Sequence, residues 1–169
     1  MMLAMPEKKA AARIKELLAL EPHPVEGGWF RRTYCAGQRV ITPYGARHES
    51  TAIYYMLETG AFSELHQLKH DEVFHFYLGD PVEMLQLLPD GSSEVIRIGT
   101  NLEAGERPQV VVPACVWQGT RLLPGGQVAL LGCTVAPGFD YADYTRASAE
   151  QLSAQWPAEA DRIRALTRF

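Results

Sequence analysis

The 169-residue sequence predicts an all-β domain, a sandwich or barrel of short strands flanked by short helices. Three observations predict it. Between residues 28 and 136, apolar and polar residues alternate in runs too short for helices. Turn sequences rich in Gly and Pro separate those runs. Helical spacing of apolar residues is confined to the two ends.

Residues 10–20 read as the first helix. Ile14, Leu17 and Leu18 recur on one face, and Arg13, Lys15 and Glu16 fill the other. Pro22 and Pro24 end it, because a residue before proline avoids the α region. Its apolar stripe is expected to cover the barrel. Strands follow at 29–34, 50–57, 63–68, 72–78, 82–88, 95–99, 109–112, 116–122 and 128–135. Pro89-Asp90-Gly91-Ser92 is the plainest hairpin turn among the connections. Residues 148–169 return to helix. Ser148 and Gln151 form a capping-box pair, Pro157 interrupts, and Ile163 and Leu166 supply apolar contacts. The helices flank one β core, so residues 1–169 are read as a single domain.

Composition narrows the function classes. The formal net charge is −4, and the basic pairs Lys8-Lys9 and Arg31-Arg32 are short, so no nucleic-acid partner is expected. No apolar run approaches a membrane span and no signal-peptide pattern occurs, so no membrane partner and a cytoplasmic location are expected. Cys35, Cys115 and Cys133 are widely spaced and odd in number. They read as reduced, buried, small hydrophobes rather than a disulfide or zinc framework.

One segment carries most of the chemical information. Gly60, His66, Glu72 and Gly79 fall at the offsets of the first cupin motif, G-x5-H-x-H-x3-4-E-x6-G, with Leu68 in the second His position. Pro113-Ala114-Cys115-Val116-Trp117-Gln118 resembles part of the second motif, with Cys115 in place of its Gly and Gln118 in place of its His. The wider runs are similar to the cupin-5 family, domain of unknown function 985. They include His23-Pro24-Val25-Glu26-Gly27-Gly28, Ser50-Thr51-Ala52-Ile53-Tyr54-Tyr55 and Gly132-Cys133-Thr134-Val135-Ala136-Pro137. The resemblance implies a cupin double-stranded β-helix, or jelly-roll, barrel and a homodimer. It brings no settled reaction, and fold alone does not decide one.

The residues then suggest a ligand pocket in the barrel mouth. His66 is the natural general base near neutral pH, Glu72 its orienting carboxylate, and Tyr55 or its neighbour Tyr54 the opposing acid. Ser63, Trp117 and Gln118 are candidates for lining the mouth, and Arg31 or Arg32 for clamping a carboxylate or phosphate. His75 joins the ligand-binding candidates, although a regular strand would turn it away from Glu72. His48, in the polar run Arg47-His48-Glu49, is expected to be exposed, and His23-Pro24 and Gly27-Gly28 to be structural turns. No cofactor is expected. In the alternative reading His66, Glu72 and Gln118 hold a divalent metal, but Leu68 removes one imidazole and Gln118 is a weak neutral ligand. Three functions stay open: a metal-independent isomerase or epimerase of a carbohydrate-like or polar metabolite, a non-catalytic binding or sensing module, and a metal-dependent enzyme. In each the partner is a small molecule.

Overall fold

The computed structural model describes residues 7–168. Helix α1 (Glu7–Leu18) is followed by β1 (Glu21–Pro22), β2 (Trp29–Cys35), β3 (Arg39–Thr42), β4 (Gly45–His48), β5 (Thr51–Glu58) and β6 (Phe62–Gln67). Next come β7 (Asp71–Gly79), β8 (Val82–Leu87), β9 (Ser93–Ile98), β10 (Gln109–Val112), β11 (Trp117–Leu122) and β12 (Val128–Ala136). A 3-10 turn (Tyr141–Asp143), β13 (Thr145–Arg146), α2 (Ala149–Gln155) and α3 (Ala160–Ala165) complete the chain.

The strands form two antiparallel sheets, in the orders β1-β2-β5-β12-β7-β10 and β13-β6-β11-β8-β9, and β3 and β4 make a separate hairpin. From β5 to β8, and again from β10 to β13, the chain changes sheet at every step, which makes the structure a jelly-roll barrel. The alternation read in the sequence is the physical cause: each strand shows one face to the space between the sheets and one to a covering layer. On β12, Ala129, Leu131 and Cys133 pack inward with Leu57, Phe74, Met84 and Ile98. The intervening Leu130 packs outward, beside Val128 and Met56, against Ala11 and Leu20 at α1. On the opposite sheet Leu65, Leu85 and Leu87 face outward beneath Leu152, Trp156 and Ile163 of the C-terminal segment. The end helices therefore cap the two outer faces of the barrel.

The Ser148–Gln151 capping box is present, with both reciprocal hydrogen bonds made. The β8–β9 turn is closed by the Ser92 N–H donating to Asp90 Oδ1 at 2.9 Å, with Gly91 at φ +87°. Three elements escaped the sequence reading. The β3–β4 hairpin has only Val40-Ile41 as an apolar signal, and the two-residue strands β1 and β13 owe their existence to pairing with β2 and β6. Two expectations need correcting. Only Cys133 of the three cysteines is buried; Cys35 is exposed and Cys115 half-buried at φ +63°. Cys115 thus takes the left-handed backbone that the glycine of the second motif would supply. The run at Arg47-His48 is not a solvated face either, since Arg47 is buried against Asp143 and His48 half-buried.

Candidate functional site

One cross-strand row sets the floor of the site. Register pairs His66 with Gln118 and Gln118 with Gln86, so three polar side chains lie abreast on β6, β11 and β8. All three are buried. Glu72 reaches the same level from β7 of the facing sheet, and Gln118 joins the two sheets. Its Nε2 donates to His66 Nε2 at 2.9 Å and to Glu72 Oε2 at 2.9 Å.

The protonation pattern follows from those bonds. His66 Nδ1 lies 2.6 Å from the Glu64 carbonyl oxygen. A carbonyl can only accept, so Nδ1 carries the proton, and Nε2 is left as a lone pair that accepts from Gln118. The Tyr144 ring covers the imidazole, with centroids 4.6 Å apart and planes within 18°. β13 holds it there, through Arg146 paired with His66 and Thr145 with Gln67. Burial raises the Tyr144 hydroxyl above its ordinary range, with the nearby Glu26 and Glu64 charges adding to the shift. Glu72 is pushed well above the usual carboxylate range, chiefly by burial and then by the Glu26 charge; a hydrogen bond with the Cys133 thiol opposes this. Burial therefore favours its protonated form, which is able to donate.

The mouth is built by the loop before β2. Gly28 has φ +71°, and a Cβ there would meet the Met56 carbonyl at 2.8 Å and the Tyr55 hydroxyl at 2.9 Å. Two adjacent glycines let this loop lie directly on β5, where the Tyr55 hydroxyl donates to the Gly27 carbonyl at 2.7 Å. The loop carries Glu26, which accepts from the Ser63 hydroxyl, and His23, whose Nδ1 accepts from the Glu26 N–H at 2.9 Å. Burial lowers the His23 pKa, partly offset by Glu26, so its imidazole resists protonation.

These groups line a narrow chamber whose accessible volume is about 40 Å³. His23, Glu26, His66, Glu72 and Arg32 give it polar walls, and Phe30, Ile53, Leu68, Val135 and Phe139 give it apolar ones. Its mixed lining, apolar walls with a few convergent polar groups, is that of a small-molecule site.

Of the residues expected at the site, His66, Glu72 and Gln118 come together, and Ser63 supports them by holding Glu26. Four do not take their expected places. Tyr55 is buried with its hydroxyl spent on the Gly27 carbonyl, so it is no acid for this chamber. Arg31 points outward and donates to the Leu18 carbonyl at 3.1 Å, while its neighbour Arg32 lines the chamber. Trp117 packs on the helix-covered face with Leu65, Leu85 and Leu87. His75 lies on the opposite side of β7, near Thr134 Oγ1 at 3.3 Å and Gln109. Strand parity explains three of these: Arg31, Trp117 and His75 each neighbour an inward residue. The orienting role differs as well. The Glu64 carbonyl orients His66, and Glu72 reaches it only through Gln118.

Glu26, His23, Gln86 and Tyr144 were missed. The Gly27-Gly28 pair was the available signal for the first two, since it marks a close backbone approach. Nothing local marked Tyr144, which reaches His66 from across the chain.

The residues do not fit a resident metal. Among the described residues no group of three or more His, Cys, Asp and Glu side chains is arranged to hold one. Leu68 occupies the wall where a second imidazole would stand, and Gln118 turns N–H donors toward both His66 and Glu72. A cation wants lone pairs there.

Comparisons agree with this architecture. The family profile described as Cupin superfamily (DUF985) matches residues 12–147. An uncharacterized protein of Saccharomyces cerevisiae is 28% identical over 134 residues, covering 71% of this chain and 67% of its own. A hypothetical protein from Leishmania major superposes with a TM-score of 0.87 at 28% identity, covering 93% of this chain and 98% of the other. A protein from Shewanella oneidensis gives a TM-score of 0.84 at 34% identity, with 94% and 97% covered.

Proposed function

This chain belongs to the cupin-5 (DUF985) family of the cupin superfamily, and we propose that its chamber binds a small polar metabolite and moves a proton on it without a metal. The observation that carries this reading is the meeting of two groups from facing sheets across Gln118. His66 presents an unprotonated Nε2, which accepts from Gln118, while its Nδ1–H is held by the Glu64 carbonyl. Glu72 holds its proton because burial disfavours its charge. An imidazole with an unprotonated nitrogen and a carboxyl that favours its proton can serve as base and acid. His66 would take a proton from carbon or oxygen, Glu72 would donate one, and Gln118 would keep the two at fixed separation. Tyr144 would hold the imidazole plane by stacking. Such proton transfer at carbon is the chemistry of an isomerase or epimerase.

The test begins with a thermal-shift screen of neutral and anionic metabolites. A hit is incubated in D₂O and followed by NMR. The expected result is solvent deuterium at one ligand carbon, slowed about 100-fold or more in His66→Gln and in Glu72→Gln. A ligand that binds without exchange would instead make the chamber a binding or sensing module. Exchange that survives His66→Gln would overturn the assigned base.

The homodimer expectation carries forward as part of the proposal. β1 covers only Trp29 and Phe30, so Arg31–Cys35 of β2 leave one backbone edge for a second copy.

A further inference from the structure

A second cavity opens directly outside the first. Its accessible volume is about 260 Å³, and it shares Arg32, Phe139 and Tyr141 with the inner chamber. Arg39, Arg47 and Asp140 complete its charged lining. In a chain of net charge −4, this gathering of guanidinium groups beside the inner chamber is a local reversal of sign.

The arginines are not equivalent. Arg47 is committed: Nε and Nη2 donate to the two Asp143 oxygens at 2.7 and 2.8 Å, and Nη1 and Nη2 also donate to the Ala46 and Tyr44 carbonyls. It is wall, not clamp. Arg39 is only partly engaged, with Nη2 donating to the Ala46 carbonyl at 2.9 Å and Nη1 3.4 Å from His48 Nε2. His48 Nδ1 lies 2.7 Å from the Ala36 carbonyl, so it carries the proton and leaves Nε2 to accept from Arg39. That contact aims Arg39 and spends one donor. Arg32 makes no hydrogen bond or ion pair among the described residues, and its exposed fork lies on the boundary of both cavities. Asp140 is the carboxylate in the lining of this outer cavity, and its Oδ1 already caps the Ala142 N–H at 2.9 Å. Two guanidinium groups with unspent donors therefore face one engaged carboxylate.

We infer that this vestibule is an oxyanion subsite, and that the ligand of the inner chamber is a phosphate monoester whose phosphate rests between Arg32 and Arg39. The inference rests on the inner chamber being a ligand site. A carboxylate, planar with two oxygens, is satisfied by a single guanidinium fork. A phosphate presents three oxygens in different directions and can take two forks from separate elements, here β2 and β3. The uncharged body of the ligand would then pass Phe139 and Tyr141 into a chamber whose far walls are Leu68, Val135, His66 and Glu72.

The test uses the native chain and the probes inorganic phosphate, ribose 5-phosphate and ribose, with the arginine Nε–H signals followed by NMR. Inorganic phosphate and ribose 5-phosphate should shift the Arg32 and Arg39 signals saturably and leave Arg47 still. Ribose, or NaCl at matched ionic strength, should move none of them. Arg32→Gln and Arg39→Gln should each weaken phosphate binding about tenfold, since each removes charged hydrogen bonds. His66→Gln should leave inorganic phosphate binding unchanged. Phosphate bound at the arginines with no ligand response at His66 would uphold the vestibule while counting against the inner-chamber reading. No saturable response at Arg32 or Arg39, or one reproduced by NaCl, overturns the inference whatever the inner chamber binds.

Discussion

Two ends of the same barrel are built from the same strands and differ in kind. On β12 the inward residues Ala129 and Leu131 are fully buried among Leu57, Met84 and Ile98, whereas Cys133 and Val135 further along line the chamber. On β7 the inward Glu72 is polar, and one pleat repeat later Phe74 belongs to the apolar core. β8 changes in the same way, from Val82 and Met84 to Gln86. The closed end stabilises by removing apolar area from water and filling space densely. The open end spends part of that gain by burying groups that prefer water, and it recovers the loss through a chain of hydrogen bonds. Polarity that begins at one level on strands of both sheets is what separates a site from a core containing an occasional polar side chain.

Two buried glutamates sharpen the point. Glu64, on the side away from the chamber, has Arg146 and Arg168 within 3.5 Å. Among the described residues Glu72 makes no ion pair; the Gln118 amide and the Cys133 thiol hydrogen-bond it. A buried carboxylate with cations beside it can stay charged. One without them keeps its proton, and that difference in neighbours makes Glu72 a candidate acid.

The largest effect is expected at the closed end. Phe74→Ala should cost about 4 kcal/mol in denaturant unfolding, because it removes a fully buried ring from a packed interior. A loss under 1 kcal/mol would mean that this end is not the stabilising half. Arg47→Met comes next, with a smaller fall in the denaturant midpoint, since it leaves the Asp143 carboxylate without its guanidinium. Asp143 lies immediately before Tyr144, so the same variant should disturb the Tyr144–His66 stack, visible as a shift of the His66 ring signals. The pair should also be acid-labile. Arg47 holds Asp143 below its ordinary range, so its contribution is full above that range and is lost as pH falls through the lowered value.

Glu72→Gln should act in the opposite direction. The folded state holds the Glu72 proton more tightly than the unfolded chain does. Its contribution is therefore full below the ordinary glutamate range and fades as pH rises toward the raised value. The glutamine variant cannot ionise, so its melting temperature should match the native protein near pH 4 and exceed it increasingly toward pH 8. A constant difference across that range would show that Glu72 is charged and compensated. The smallest effect is expected for His75→Ala, within about 0.5 kcal/mol and without change in ligand affinity, because the side chain stands on the far face of β7.

Much of the architecture was legible because alternation is a local property. Period-two runs such as Val128–Ala136 and turn sequences such as Asp90-Gly91 place strands without knowledge of their partners. The β3–β4 hairpin was not legible, because its strands are short and its key residue, Arg47, is buried by a partner 96 positions away. His66, Glu72 and Gln118 could be read because motif spacing places them on facing strands. Arg31, Trp117 and His75 show the limit: one residue along a strand reverses the face, and sequence gives the alternation but not its phase at every strand.

Residue order alone determined that this chain would roll into short strands with helices at its ends, and that an imidazole and a carboxyl would approach one another. Only the tertiary structure decided that the carboxyl lies beyond an amide bridge and outside any ion pair among the described residues, that Tyr144 covers the imidazole, and that Arg32 guards the mouth in place of Arg31. The physical reason is range. Strand periodicity is fixed by neighbours in the chain, whereas protonation, stacking and access are fixed by groups that meet only when the sheets close.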